Sequence, residues 1–200
     1  MTPRTFLCLA PCLLAACGGT TVTLQLTDAP PDMASLAHVE LTLGRVEVHV
    51  AGSDDGDDSD EPSQLPADNE KDKEEDGGAG WQTVAAPAGT FDLIALQNDV
   101  RATLGTLELP DGKITQIRLF MDPNGKNQVE LTSGETCAID LSAVPPTGIK
   151  INHPFKALDV EESSELNLVV DFDLKESLDQ TGACSFSLKP VIKLKHVERD

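Results

Sequence analysis

The sequence predicts a mainly β protein, an antiparallel β-sandwich of the immunoglobulin or transthyretin type with one or two short helices. About ten short segments show the alternation of apolar and polar residues that half-buried strands require. Segments rich in Gly, Pro, Asn and Asp separate them and predict turns. The best helix candidate in the chain is short, so strands must carry the fold.

The first two strands are predicted near the start of the domain. Three apolar residues alternate with polar ones within 20–27. In the next segment the apolar residues occupy odd positions over 39–43 and even positions over 46–50. Because consecutive strand residues face opposite sides, the apolar face must switch across Gly44-Arg45, where we expect a β-bulge or bend.

A polar insertion interrupts the pattern after the second strand. Residues 52–79 consist mainly of Asp, Glu, Gly, Pro and Ser, and such a segment cannot bury enough apolar surface to offset its ordering entropy. We therefore predict a disordered acidic insertion, after which the ordered chain resumes at 81–84. The stretch from Leu93 to about Gly105 is the best helix candidate, kept short by its glycine and β-branched residues.

The remaining strands follow in regular order. A strand is predicted at 113–121, then a turn at 122–127, then a hairpin whose strands at 128–131 and 136–141 flank Ser133-Gly134. Further strands are expected at 148–151, 155–160, 165–173 and 185–197. Pro190 divides the last of these, which places it at a sheet edge or starts it anew.

The N-terminus is typical of an exported lipoprotein. Arg4 precedes an apolar run that is too short to span a bilayer, and Leu14-Ala15-Ala16-Cys17 resembles a lipobox. Residues 1–16 would be a signal peptide, Cys17 the lipidated (palmitate-bearing) residue, 17–19 a tether, and 20–197 a single domain. The alternative is an ordinary secretory signal with an incidental cysteine. Gly18 favours the outer membrane over the inner one, with the periplasmic or surface face left open.

Charge and cysteines restrict the function classes. The formal net charge is −19, and the segment from Ser53 to Asp76 holds twelve acids against two lysines. Such a protein repels phosphate backbones, which argues against nucleic acid as a partner. In an oxidising compartment Cys137 and Cys184 form a disulfide by default, with two buried free thiols as the alternative. The chain has no CxxC, HExxH or Cys/His cluster, so zinc and thiol redox chemistry lack support.

Seven segments together resemble a bacterial and archaeal secreted family known as domain of unknown function 4382. They are VTLQLTDAP at 22–30, VEVH at 46–49, TFDLIALQN at 90–98, TQIRL at 115–119, TGIKINHPF at 147–155, VDFDLKESL at 170–178 and LKPVI at 188–192. The resemblance extends from about Thr20 to Val197, and it implies a gap of variable length where the acidic insertion lies. It implies no activity.

Two carboxylates are candidates for a metal site. Asp171 and Asp173 flank Phe172, so in a strand both point to one face, where like charges need a reason. One reason is a divalent cation such as calcium, with Asp28 or Asp92 as further ligands. The other is ordinary solvation at a strand end, with pairing to nearby cations, for which the candidates are Arg118, Lys150 and Lys175.

Other candidate ligand contacts are weaker. His153, beside Asn152 and before a proline, would have a fixed orientation, but the sequence offers it no catalytic partner, and a structural histidine is the alternative. The acidic insertion either binds calcium weakly or acts as a solvated spacer. With Trp81 alone, no tyrosine, and phenylalanines assigned to the core, a sugar-stacking surface has little support.

Three functions remain, and the first is preferred. It is a non-catalytic, lipid-anchored binding or adhesion module of the cell envelope, whose partner is an envelope protein or polysaccharide. The second is a structural or assembly component that pairs through an exposed strand edge. The third is a metal-assisted hydrolase that uses Asp171, Asp173 and His153. No cofactor is established, and the absence of catalytic motifs argues against an enzyme.

Overall fold

The computed structural model describes residues 19–28, 34–52, 80–84, 89–151, 156–160 and 165–199. Strands dominate this part of the chain, as the sequence predicts. In chain order they are β1 (Thr20–Thr27), β2 (Leu36–Gly52), β3 (Gly80–Thr83), β4 (Gly89–Asp92), β5 (Ala102–Leu109), β6 (Gly112–Met121), β7 (Gln128–Leu131), β8 (Thr136–Asp140), β9 (Ile149–Lys150), β10 (Leu158–Val160), β11 (Glu165–Phe172), β12 (Leu178–Gly182), β13 (Ser185–Leu188) and β14 (Ile192–Arg199).

The strands form two sheets in a sandwich-like arrangement, which confirms the predicted fold class. The smaller sheet has the order β14-β11-β1-β5. The larger has the order β10-β6-β2-β7-β8-β13-β12, with β3 and β4 also on β2 and β9 on β6. Apolar side chains from both sheets meet in one core, whose largest fully buried members include Phe172 and Phe186.

The sheets are mixed rather than purely antiparallel, which corrects one detail of the prediction. β1 runs parallel to β11, and β8 runs parallel to β13. Parallel neighbours need a long crossover, and here most of the larger sheet lies between β1 and β11 along the chain. Every residue from Leu168 to Phe172 is buried, the continuous burial expected of a parallel strand covered on both faces.

The long strand β2 contains the predicted change of face. Its register against β6 shifts between Leu43 and Arg45. Before the shift the core-facing residues are Val39, Leu41 and Leu43, and after it they are Val46, Val48 and Val50. The bulge therefore keeps apolar residues on the core side along the whole strand, as the sequence predicts.

The predicted helix from Leu93 to Gly105 is wrong beyond its first turn. A 3₁₀ helix spans Leu93–Leu96, and the following strand β5 begins at Ala102. Asn98 and Asp99 adopt left-handed conformations, with φ of 57° and 64°, which no continuing helix accommodates. A one-turn α-helix, α1 (Leu174–Ser177), completes the expected one or two short helices.

The C-terminal strands confirm the role of Pro190. β13 ends before it in the larger sheet, and β14 starts after it at an edge of the smaller sheet. The predicted β7–β8 hairpin is also present, with Val129 opposite Cys137.

The expected disulfide is present. Cys137 of β8 is bonded to Cys184, which lies in the turn before β13, with their Cα atoms 5.1 Å apart. It joins two strands that are neighbours in space but 47 residues apart in the chain.

Several sequence predictions lie outside the described residues. These are the signal peptide at 1–16, the lipidation site Cys17 and residues 53–79 of the acidic insertion. Among the residues that the structure does describe, no helix has the length and apolar character needed to cross a membrane.

Removal of the disulfide should destabilise the domain. The chain-entropy model gives about 4 kcal/mol for a loop of this length, and we expect the free energy of unfolding to fall by that order in Cys137→Ala/Cys184→Ala. Chemical denaturation followed by circular dichroism measures it. The double variant in reducing agent is the matched control, because a reductant should lower the midpoint of the wild type only. A wild-type midpoint that reductant does not move would contradict this prediction.

Candidate functional site

Asp92, one of the four predicted metal ligands, serves as a helix cap. Its Oδ1 accepts hydrogen bonds from the N–H groups of Val39 (3.1 Å) and Ile94 (3.2 Å). Its Oδ2 lies 2.6 Å from His38 Nδ1, and this hydrogen bond, with the accompanying charge attraction, raises the pKa of His38. The carboxylate thereby fastens the 3₁₀ helix to β2.

Asp28 and Asp173 hold one end of the smaller sheet together. Asp28 is buried after β1, and its Oδ1 accepts the N–H of Leu174 at 3.0 Å. Asp173 caps α1 by accepting the N–H of Glu176 at 3.2 Å, and its Oδ2 pairs with Lys193 at 2.8 Å. Both carboxylates therefore accept hydrogen bonds from backbone N–H groups of the fold, and Asp173 also pairs with a lysine side chain.

Asp171 is the unusual member of the set. It lies opposite Thr27 of β1 and Lys193 of β14, on the side of the smaller sheet that faces away from the core. Its side chain is buried, and Oδ1 has no hydrogen-bond partner among the described residues. Burial raises the pKa of Asp171. The positive charges of Lys195 and Lys193 lower it and the negative charge of Asp173 raises it, and the net shift is upward.

The loop after the 3₁₀ helix covers the sheet next to Asp171. Thr27 Oγ1 donates to the carbonyl oxygens of Leu96 and Val100, both at 3.0 Å. A pocket of about 320 Å³ remains between this loop and the sheet. Two of the charged residues that line it form an ion pair, with Lys195 Nζ 3.3 Å from Asp99 Oδ1. The outward face of β11 is thus covered near its C-terminal end, which explains why Asp171 is buried there.

The four aspartates do not come together as a metal cage. Asp28, Asp171 and Asp173 gather at one end of the smaller sheet, whereas Asp92 caps the 3₁₀ helix against the larger one. Within the described ranges, no group of three or more His, Cys, Asp or Glu side chains is placed to hold a metal ion. His153 and Asn152, the other candidate ligand contacts, lie outside those ranges.

The predicted counter-ions also need revision. Asp173 pairs with Lys193, a residue that the sequence analysis did not consider. Arg118 and Lys150 belong to β6 and β9 of the larger sheet, so they are not neighbours of Asp171 in the smaller one. Sequence periodicity shows which face a residue occupies but not which strand lies beside it.

A different surface brings functional side chains together, on the solvent side of β3, β2, β6 and β9. We call it the Trp81 face and define it by Trp81, His49, Arg118, Lys150 and the pair Arg45–Phe120. Its residues occupy the strand positions between core residues. Register places His49 opposite Trp81, and Arg118 opposite both Glu47 and Lys150. Directly opposed residues share a face, so these side chains lie side by side in solvent.

Stacking contacts order the Trp81 face. The guanidinium carbon of Arg118 lies 3.6 Å from the ring centroid of Trp81, and the ring of His49 meets Trp81 edge-on at 4.9 Å. Arg45 stacks on Phe120 in the same way at 3.9 Å and also pairs with Glu47 at 2.8 Å. Trp81 nevertheless remains 38% exposed. Two cation–π contacts on neighbouring strands form a rigid surface of aromatic and cationic groups.

Electrostatics distinguish His49 from Arg118 within the face. Burial lowers the pKa of His49, and the nearby Arg118 lowers it further, so the imidazole is neutral at neutral pH. Its Nδ1 lies 2.7 Å from Thr115 Oγ1. Nε of Arg118 is buried and has no hydrogen-bond acceptor among the described residues. Within the same residues the guanidinium stacks on Trp81 but forms no ion pair. The face thus carries a cation without an ion pair among the described residues, beside an exposed aromatic ring.

Sequence reasoning missed this site because its members are far apart in the chain. In the sequence Trp81 predicts little, because it is the one Trp of a chain without Tyr and because the sequence assigns Phe91, Phe155 and Phe172 to the core. The usable signal was positional, since His49 and Arg118 occupy outward positions of strands whose inward positions are all apolar. Only the register across β2 brings them to Trp81.

Fold and site together define a two-sheet β protein with an aromatic and cationic surface on its larger sheet. Residues 19–190 match the protein-family model described as Domain of unknown function (DUF4382). The chain belongs to this family, which confirms the resemblance drawn from the sequence. Neither the curated proteins nor the solved structures contain a match to the chain.

The buried carboxylate of Asp171 predicts a pH-dependent stability. Because its folded-state pKa lies above the ordinary value of 3.8, the native state loses stability as pH rises through the window between these two values. We therefore expect Asp171→Asn to raise the melting temperature at neutral pH, with the gain disappearing once the pH falls below that window.

Thermal unfolding over a pH series measures this effect. The matched control is Asp179→Asn, which removes an exposed carboxylate paired with Lys189 and should change stability little at any pH. A gain in Asp171→Asn that persists unchanged at acid pH would show that charge burial is not its cause.

Proposed function

We propose that this protein is a non-catalytic binding module of the bacterial cell envelope, anchored by lipid on Cys17, and that its Trp81 face binds the ligand. The observation that carries the proposal is the exposure of Trp81 while Arg118 and His49 hold its ring in place. Binding surfaces are enriched in ordered Trp and Arg side chains of this kind.

Rigidity supports a role in binding. His49, Arg118, Arg45 and Phe120 project from β2 and β6, which pair over most of the second half of β2, whereas Trp81 and Lys150 lie on the short strands β3 and β9 beside them. Stacking already restricts the rotamers of Trp81 and Arg118, so a ligand would not have to order them. An exposed aromatic ring also offers apolar area to a sugar ring or to a partner's side chain.

The roles of the aspartates support a non-catalytic function. Asp28, Asp92 and Asp173 accept backbone N–H groups, and Asp173 also binds a lysine. A general base or metal ligand needs a carboxylate directed at substrate or metal. Of the residues that the hydrolase hypothesis names, Asp173 is therefore already engaged inside the fold, by the N–H of Glu176 and by Lys193.

Assembly through strand edges is a weaker alternative. Among the described strands, β5 and β14 form the two edges of the smaller sheet. The β14 edge carries Lys193 and Lys195 and a register shift against β11, and β5 has a register shift opposite Leu24 and Gln25. Edge lysines and bulges are devices that oppose strand addition.

Lipid anchoring is tested at the acceptor cysteine. We expect wild-type protein expressed in a bacterial host that processes lipoproteins to start at an acylated Cys17 and to fractionate with membranes. Cys17→Ser should stay soluble after export, because the signal then lacks its acylated residue. Mass spectrometry of the mature N-terminus and membrane flotation measure both. An unmodified N-terminus in the wild type would remove the anchor from the proposal.

The Trp81 face is tested by substitution in the full chain. We expect Trp81→Ala to weaken retention on immobilised envelope polysaccharide by at least about tenfold, in line with the loss of an aromatic contact. Val100→Ala is the matched control, because Val100 is exposed but lies on the loop over the smaller sheet. Equal retention of Trp81→Ala and wild type, with unchanged thermal stability, would overturn the assignment of this face.

A further inference from the structure

We infer that the Trp81 face binds an acidic polysaccharide, with Arg118 and Lys150 receiving a carboxylate or phosphate group while Trp81 packs against the sugar. This inference rests on the proposed function, because it names the ligand class of the same face. It follows from the arrangement of charge on β6 and β9, whose Arg118 and Lys150 are expected from the sequence to pair with the aspartates.

The guanidinium of Arg118 is presented in a form suited to an oxyanion. The guanidinium carbon lies over the Trp81 ring, 3.6 Å from its centroid, and Nε is buried, so the two terminal nitrogens are the ones that remain for an anion. An Arg edge donates two parallel hydrogen bonds to a carboxylate or phosphate. Within the described residues no carboxylate occupies that edge, because the nearest cross-strand acid, Glu47, pairs with Arg45.

Lys150 adds a second cation at the same place. It lies directly opposite Arg118 in the β6–β9 register and is exposed, whereas the preceding Ile149 is buried against the core. Directly opposed strand residues have Cβ atoms about 5 Å apart, and like charges at that distance are destabilising. An anion between Arg118 and Lys150 converts this repulsion into two attractions.

The opposition of two unpaired cations distinguishes this arrangement. On a chain with a formal charge of −19, Lys126, Lys189, Lys193 and Lys195 all lie within ion-pair distance of a carboxylate. Arg118 and Lys150 have no ion pair in the described part of the protein, and unlike the other cations there that lack one (Lys113, Lys156 and Arg199), they lie directly opposite each other in a strand pair. Two adjacent unpaired cations beside an exposed Trp therefore form a local site for negative charge.

The net charge of the protein does not prevent such binding. At physiological ionic strength, exposed charges more than about 8 Å apart are largely screened. A sugar acid held at Arg118 therefore interacts mainly with Arg118 and Lys150, and only weakly with acids elsewhere on the chain. A polymer fits better than a single anion, because Arg45 and Phe120 continue the stacked surface along the same strands.

The experiment compares an acidic polymer with its neutral derivative. Polygalacturonate, methyl-esterified polygalacturonate and phosphomannan are immobilised, and the full-length protein is applied at increasing NaCl concentrations. We expect binding to polygalacturonate, to phosphomannan or to both, weakening as salt rises, with little binding to the ester. The two acidic probes distinguish a carboxylate from a phosphate ligand.

Variants locate the charge contact. Arg118→Gln should reduce binding to the acidic polymer by about tenfold or more, and Lys150→Gln by a smaller factor, consistent with loss of a charge-assisted hydrogen bond. Arg118→Lys keeps the charge without the planar edge and should be intermediate. Lys189→Gln removes one positive charge away from the face and should bind as the wild type. Melting temperatures show whether each variant is folded.

The outcomes separate this inference from the proposed function. One outcome would overturn the acidic ligand and leave the binding module intact. In that outcome the protein binds the neutral ester as well as the acidic polymers, salt does not weaken this binding, and Trp81→Ala abolishes it. Wild-type binding of Arg118→Gln to the acidic polymer would overturn the role of Arg118. Failure of the wild type to bind any of the three polymers overturns the inference, and failure on envelope polysaccharide as well overturns the proposed function.

Discussion

The change of face within β2 is the constraint on which the rest of the structure depends. β2 spans both halves of the larger sheet, because β7 and β4 pair with its first part and β6 and β3 with its second. Without the extra residue near Gly44, continued alternation would direct Arg45, Glu47 and His49 into the core and the valines of 46–50 into solvent. The bulge therefore completes the core and also creates the Trp81 face.

The carboxylates of this acidic protein divide into two groups with different physical roles. Asp28, Asp92 and Asp173 stabilise chain reversals, because each accepts N–H groups that would otherwise lack partners at a strand end or in the first turn of a helix. Asp171 differs because burial disfavours its charge, and two lysines compensate it only in part. Three of the acids thus stabilise the fold by accepting hydrogen bonds, and the fourth is a buried carboxylate without a partner for Oδ1 among the described residues.

Family membership assigns no activity to the chain. The match over 19–190 includes β1 to β13 and ends before β14, which forms an edge of the smaller sheet. The proposed ligand class rests on the surface, where an exposed indole, a stacked guanidinium and an adjacent lysine offer an aromatic ring and two cationic donors of the kind that an acidic sugar requires.

The sequence by itself determined the mainly β class, the change of face at Gly44-Arg45 and the break at Pro190, because alternation and turn chemistry are local signals. Cysteine count favoured a Cys137–Cys184 disulfide over free thiols, and the structure shows the bond because it brings the two Cα atoms to 5.1 Å. The tertiary structure decided the parallel pairings, the end of the helix at Leu96 and the neighbours of each charged side chain. Alternation identifies which face a residue occupies, but register and strand order identify what lies beside it. For that reason the aspartates that look like a metal site from the sequence became caps and a buried carboxylate. Trp81, His49 and Arg118, which are distant along the chain, became one surface.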